Sequence, residues 1–147
     1  MGDTARLASP ASKKKVPVLN SRFLIVSVAG LIGAAGVVLG AVAAHRVQDP
    51  SLATAAQMLL FHAAAAVAVA AHLRPIHHRP VRGHRVWLAA AVLMLSGSAL
   101  FAGDITMRAL VGARLFPMAA PLGGSTMIAG WLGLAVAAIV SLRREEK

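Results

Sequence analysis

The chain has 147 residues, 58% of them apolar and only 14% charged, with a mean hydropathy of +0.72. A soluble domain would be roughly 45–50% apolar and about 25% charged, so the composition argues against one, and the length is that of a single domain. Fifteen Lys and Arg against five Asp and Glu give a formal charge of +10, and the absence of Cys excludes a disulfide scaffold and any Cys-ligated zinc or iron–sulfur centre.

Residues 1–22 are polar and basic, with Lys13, Lys14 and Lys15 in a row and Pro10 and Pro17 opposing a helix. They read as a disordered cytoplasmic tail. Phe23 to Ala44 then runs without a charge. At about 1.5 Å per residue it can cross a hydrocarbon core of roughly 30 Å. A second apolar run spans Ala53 to Leu73 and carries Gln57, His62 and His72. Pro75 and Pro80 are placed to stop it. A third runs from Val86 to Gly103 and continues amphipathically to Leu110, and a fourth from Leu122 to Leu142, followed by a short charged tail at 143–147. The expected fold is all-α, an integral membrane bundle of four transmembrane helices at about 23–44, 53–73, 86–110 and 122–142. Abundant Ala and few aromatics favour tight closure over a cavity. The basic stretch before the first span and Ala41-Val42-Ala43-Ala44 after it resemble a signal peptide. A signal's apolar region is only about 7–15 residues long, however, so the span is expected to stay uncleaved.

The charge has a side. With the N-terminus in the cytoplasm, Arg6, Lys13, Lys14, Lys15, Arg22, Arg74, Arg79, Arg82, Arg85, Arg143, Arg144 and Lys147 all lie inside, and only Arg46, Arg108 and Arg114 lie outside. The positive-inside rule therefore places both termini in the cytoplasm. Basic residues next to the spans suit anionic headgroups of the lipid bilayer. They lack the interleaved aromatics of a nucleic-acid surface, and nucleic acid is not an expected partner.

In the first span Gly30, Gly33, Gly36 and Gly40 fall within one arc of about 120° and form a stripe on which a neighbouring helix can pack closely. The stripe serves packing within the monomer or, alternatively, a homodimer face.

Ionisable residues within spans are the functional candidates. His45 closes the first span on the outer side. His62 lies about 15 Å below the outer surface, counted along its helix. Asp104 returns close to the outer interface, and Arg108 follows at i+4 on the same helix face. His45, Arg46, Asp104 and Arg108 are thus expected to share an outer layer, roofed by a loop from Phe116 to Pro121. Gly123 and Gly124 are expected to start the fourth helix there, with free N–H groups that receive an anion or a carboxylate. Asp104 and Arg108 form an intrahelical ion pair or, alternatively, handle a ligand, a headgroup or protons. His62 bonds to a neighbouring helix or takes a functional role.

His45, His62 and His72 sit at three different depths, so no pair can ligate a haem. His77, His78 and His84 read as a solvated basic loop, with no carboxylate beside them to hold a metal. GxSxG, HExxH and GxxxxGK[ST] are absent, and Asp104 is the one carboxylate at membrane depth. No catalytic set, metal or cofactor is expected.

Four short blocks resemble, in order, those of the domain-of-unknown-function-423 family of small membrane proteins, related to eukaryotic transmembrane protein 256. They are Gly40-Ala41-Val42-Ala43-Ala44-His45; Phe61-His62-Ala63; Leu100-Phe101-Ala102-Gly103-Asp104 with Ala109-Leu110; and Ala120-Pro121-Leu122-Gly123-Gly124 with Gly130-Trp131. Val42 and Ala43 stand where the family usually has an aromatic and a glycine. Met58 and Leu59 stand where it often has Tyr and Gln, which thins any polar network around His62. The resemblance implies a four-helix protein of the bacterial inner membrane and brings no activity. The expected role is a non-enzymatic accessory or structural subunit, with other membrane subunits or a second copy as partners. The alternatives are a small-molecule or proton carrier using His62 and Asp104, and an outer-face lipid or quinone site.

Overall fold

A computed structural model describes residues 21–46, 49–74, 81 and 83–142. They form four helices: α1 (Ser21–His45), α2 (Pro50–His72), α3 (His84–Val111) and α4 (Ala119–Leu142). Each exceeds 20 residues, so each is long and apolar enough to cross a membrane. Of the expected N-terminal tail, Ser21 and Arg22 belong to α1 instead. The rest of that tail, the tail at 143–147, and Pro75, His77, His78 and Pro80 lie outside the described residues.

Local chemistry sets the helix ends. Asp49, in an extended conformation, caps α2 by accepting the Ser51 N–H at 2.8 Å, and Pro50 occupies a position whose N–H would be free anyway. Gly112 ends α3 with φ 74°, and its N–H bonds to the Arg108 carbonyl. α4 begins three residues before the expected start, at Ala119. Its first bonds run from Ala119 N–H to the Phe116 carbonyl and from Leu122 N–H to the Met118 carbonyl. Pro121 therefore belongs to the first turn, where the missing N–H costs little. The expected roof loop is shorter by that much.

Short connections place the C-terminal ends of α1 and α3 beside the N-terminal ends of α2 and α4. The core is built from small side chains. Ala63, Ala66 and Ala70 of α2 pack with Ile25 and Ala29 of α1 and with Ala91 and Leu95 of α3, while Leu52, Ala55, Ala56 and Leu59 pack with Leu39 and Ala102 at the other end. The glycine stripe of α1 takes part unevenly. A Cβ on Gly36 would stand 3.1 Å from Leu59 Cβ and 3.2 Å from the Ala56 carbonyl, whereas Gly33 and Gly40 meet α2 at ordinary contact distance. Gly30 lies off the seam, with nothing within 4 Å of its Cβ position. Its place on the 120° arc is too far round to meet α2.

The closest helix contact is elsewhere. A Cβ on Gly123 would lie 2.6 Å from Phe101 N and 2.8 Å from the Gly97 carbonyl oxygen. One on Gly97 would lie 2.8 Å from the Gly123 carbonyl. Backbone rests on backbone where α3 and α4 cross.

The bundle is not closed. The α4 backbone packs on α3 alone, and no Cα of α4 comes within 8 Å of α1 or α2. Tight closure does not follow from small residues, because they bring helices together pairwise without dictating which pairs form.

Candidate functional site

Two polar arrangements lie along α3, and both draw on the residues that the sequence singles out. The deeper one centres on His62, which is 5% exposed. Its Nδ1 lies 2.7 Å from the Met58 carbonyl oxygen one turn earlier on α2. The Trp131 indole N–H of α4 donates to its Nε2 at 3.2 Å, with the rings edge-to-face and 6.1 Å apart. An indole only donates, so Nε2 must accept and Nδ1 must carry the proton for its own bond to the carbonyl. His62 is thus a neutral imidazole of fixed tautomer, with both nitrogens engaged. This pair is also a direct side-chain bridge between α2 and α4, whose backbones stay apart.

The second arrangement lies at the end where α3 finishes. Asp104 is fully buried. Its Oδ2 accepts from Arg108 Nε at 2.9 Å and also from an Arg108 terminal nitrogen, so the expected i, i+4 ion pair is formed. Oδ1 accepts the Leu115 N–H at 3.0 Å, and the Ala120 N–H also faces this carboxylate. Asp104 therefore secures the α3–α4 connection and the first turn of α4.

That geometry revises the role expected of the fourth helix's start. Gly123 and Gly124 are not its opening residues and offer no free N–H there. Gly123 is buried against α3. The carboxylate that meets this helix start is Asp104 itself. His45 and Arg46 are exposed at the end of α1, and neither has a side-chain hydrogen bond or ion pair among the described residues. They do not join the Asp104–Arg108 pair, which is committed to the α3–α4 connection.

Beside that pair a cleft of about 520 Å³ opens between α2 and α4. Ser51 forms one wall, Phe101, Ile105 and Arg108 the base, and Pro121 and Gly124 the other wall. At the opposite end of the molecule, His72 packs on Trp87 with ring centroids 4.4 Å apart, and the buried Trp87 indole N–H has no partner among the described residues.

The model of the family described as Protein of unknown function (DUF423) matches residues 39–124. The chain belongs to the DUF423 family. No solved structure matches it. Three of the four blocks that resemble DUF423 members come together, the second and the third each meeting the fourth. Phe61-His62-Ala63 meets Gly130-Trp131 through the imidazole–indole bond, and Phe101 to Asp104 meets Ala120 to Gly123 through the backbone crossing and the Asp104 carboxylate.

Trp131, Leu115 and Gly97 are the partners that sequence reasoning misses. Leu115 takes part through its backbone and Gly97 through having no side chain, so neither residue type announces its role. Trp131 stands 69 residues from His62, and no local period links them.

Proposed function

We propose that the chain is a multi-pass protein of the bacterial inner (plasma) membrane, with both termini cytoplasmic, acting as a non-enzymatic accessory or structural subunit of a larger membrane assembly. Membrane residence is supported by the outward face. Phe23, Leu31, Val37 and Val38 of α1 and Ile128, Leu132 and Val136 of α4 are all more than half exposed, a surface that aqueous solvent penalises and lipid does not. Orientation rests on the twelve inside basic residues.

The subunit role rests above all on how the buried polar groups are used. His62 spends both nitrogens on Met58 and Trp131, and Asp104 spends both oxygens on Arg108 and the α3–α4 connection. Such groups define a shape. A carrier working through His62 and Asp104 has less behind it, because no hydrogen bond links the two. α4, whose backbone packs on α3 alone, leaves a flank against which a neighbouring subunit fits.

Extraction of the tagged chain from native membranes in mild detergent, followed by native electrophoresis, tests the subunit role. The expected result is migration within a larger assembly. A cysteine at Leu132, on the open flank of α4, should cross-link into that assembly. Migration as a lone chain under every mild condition overturns the subunit reading, and release by alkaline carbonate overturns membrane residence.

A further inference from the structure

The cleft beside Arg108 is an open slot with a cationic mouth. It exists because α4 does not pack on α2, and α3 forms its base. The His62–Trp131 bridge lies deeper between the same two helices and is not part of its lining. Ser51 and His62 are eleven residues apart on α2, and Gly124 and Trp131 seven apart on α4. Each spacing returns to nearly the same helix face, so the bridge crosses beneath the cleft, about 10–16 Å further along the helices. Phe101, Ile105, Pro121 and Gly124 give the slot apolar walls.

At the mouth, Arg108 is 40% exposed while Asp104 is fully buried behind it. The pairing uses Arg108 Nε and one terminal nitrogen, and a guanidinium has five N–H donors, so further donors remain for a second acceptor. Asp104 also holds the guanidinium in place. At this end of the molecule three arginines, Arg46, Arg108 and Arg114, stand against two aspartates, Asp49 and Asp104. The balance favours an anion.

The geometry points to a binding site for one anionic phospholipid, with its phosphate on Arg108 and one acyl chain entering the apolar slot between α2 and α4. A guanidinium matches phosphate oxygens two at a time. The slot opens at the helix ends, where a bilayer places its headgroups above its chains. This inference rests on the membrane-spanning reading, which carbonate extraction tests on its own, and it is independent of the subunit role.

The test is native mass spectrometry of the full chain released from detergent micelles, supplied in turn with phosphatidylglycerol, diacylglycerol and inorganic phosphate. Phosphatidylglycerol should remain at one per chain. Diacylglycerol, which lacks the phosphate, and inorganic phosphate, which lacks the chains, should each be retained at least about tenfold less, given the strength of charge-assisted bonds. Gly124→Leu supplies the blocked control. A Cβ at Gly124 meets nothing within 4 Å, so a side chain can start there without displacing α2 or α3. It should abolish retention of phosphatidylglycerol while leaving the circular dichroism and detergent unfolding of the wild type. Ser51→Leu plugs the slot from the facing wall, and loss of the lipid there provides the same evidence should Gly124→Leu fold poorly. Equal retention of diacylglycerol overturns the inference, as does displacement of the lipid by inorganic phosphate. Undiminished lipid in both plugged variants also overturns it, since the lipid would then sit elsewhere on the surface.

Discussion

The indole N–H of Trp131 decides which ring nitrogen of His62 carries its proton, and this makes a single bond measurable twice. Trp131→Phe keeps most of the ring and removes the donor. Interhelical bonds of this kind are worth about 0.6 kcal/mol on average and up to about 1.7, so detergent unfolding should shift by that order. Nitrogen NMR should also show the His62 ring passing from one tautomer to a mixture. A wild-type ring protonated at Nε2 would contradict the assignment. The Asp104–Arg108 pair makes a different prediction, which comes from its asymmetry. Asp104 has no exposed surface, while Arg108 is 40% exposed. Asp104→Asn leaves a cation that can swing to water or headgroups, whereas Arg108→Ala leaves a buried carboxylate without its counter-ion. Arg108→Ala should therefore lower expression and unfolding midpoint more than Asp104→Asn does, and adding Asp104→Asn to it should restore part of the loss. An opposite order would mean that Asp104 reaches solvent.

At the level of helices, the glycines divide by what surrounds them, not by their spacing in the sequence. The stripe on α1 is the conspicuous pattern, yet Gly30 is free and Gly33 and Gly40 make only ordinary contacts. The decisive pair, Gly97 and Gly123, belongs to two helices and forms no motif within either. Gly123→Ala would press a methyl group into the Phe101 backbone and should cost about 1–3 kcal/mol, as overpacking of tight interiors does. Gly30→Ala should leave the unfolding midpoint unchanged or raise it, since alanine is the better helix former. Equal effects of the two would show that α3 and α4 do not cross at Gly123. The spans themselves were legible because uncharged runs of 20 residues leave few other readings. The start of α4 was not, because Pro121 looks like a loop residue until Met118 and Phe116 are seen to open the helix. The i, i+4 ion pair was readable from local spacing, whereas the His62–Trp131 bond depends on how α2 and α4 are arranged around α3. At the start of α2, Asp49 accepts from Ser51, whose hydroxyl and backbone N–H hold the carboxyl below its ordinary value of 3.8. The Ser51 amide signal should titrate with a midpoint below that value. The cap's contribution to stability is then present above the unfolded pKa and lost as pH falls through the lowered one. A midpoint at or above 3.8 would mean that the cap is open in solution.

For the whole molecule, charge and fold can be set against each other. The four helices are joined by short connections, so the ends of α1 and α3 and the starts of α2 and α4 lie on one side whatever the orientation. Arg46, Arg108 and Arg114 belong to that side, and among the described residues Arg22, Arg74 and Arg85 belong to the other. Each leaflet exerts its own preference, and moving the basic N-terminal segment across the membrane is the costly alternative. The chain lacks cysteine, so single cysteines can be introduced without removing any native one. Cysteines at Arg46 and Arg114 should react with an impermeant maleimide in spheroplasts of intact inner membrane. Cysteines at Ser9 and Arg143 should react only after permeabilisation. The reverse pattern would place both termini outside, and a mixed one would mean that a helix fails to cross. The same variants bear on the cleft, because its mouth shares the side of Arg46 and Arg114. In the expected orientation it opens to the outer leaflet, so labelling at Arg46 and Arg114 also fixes which leaflet supplies the phospholipid.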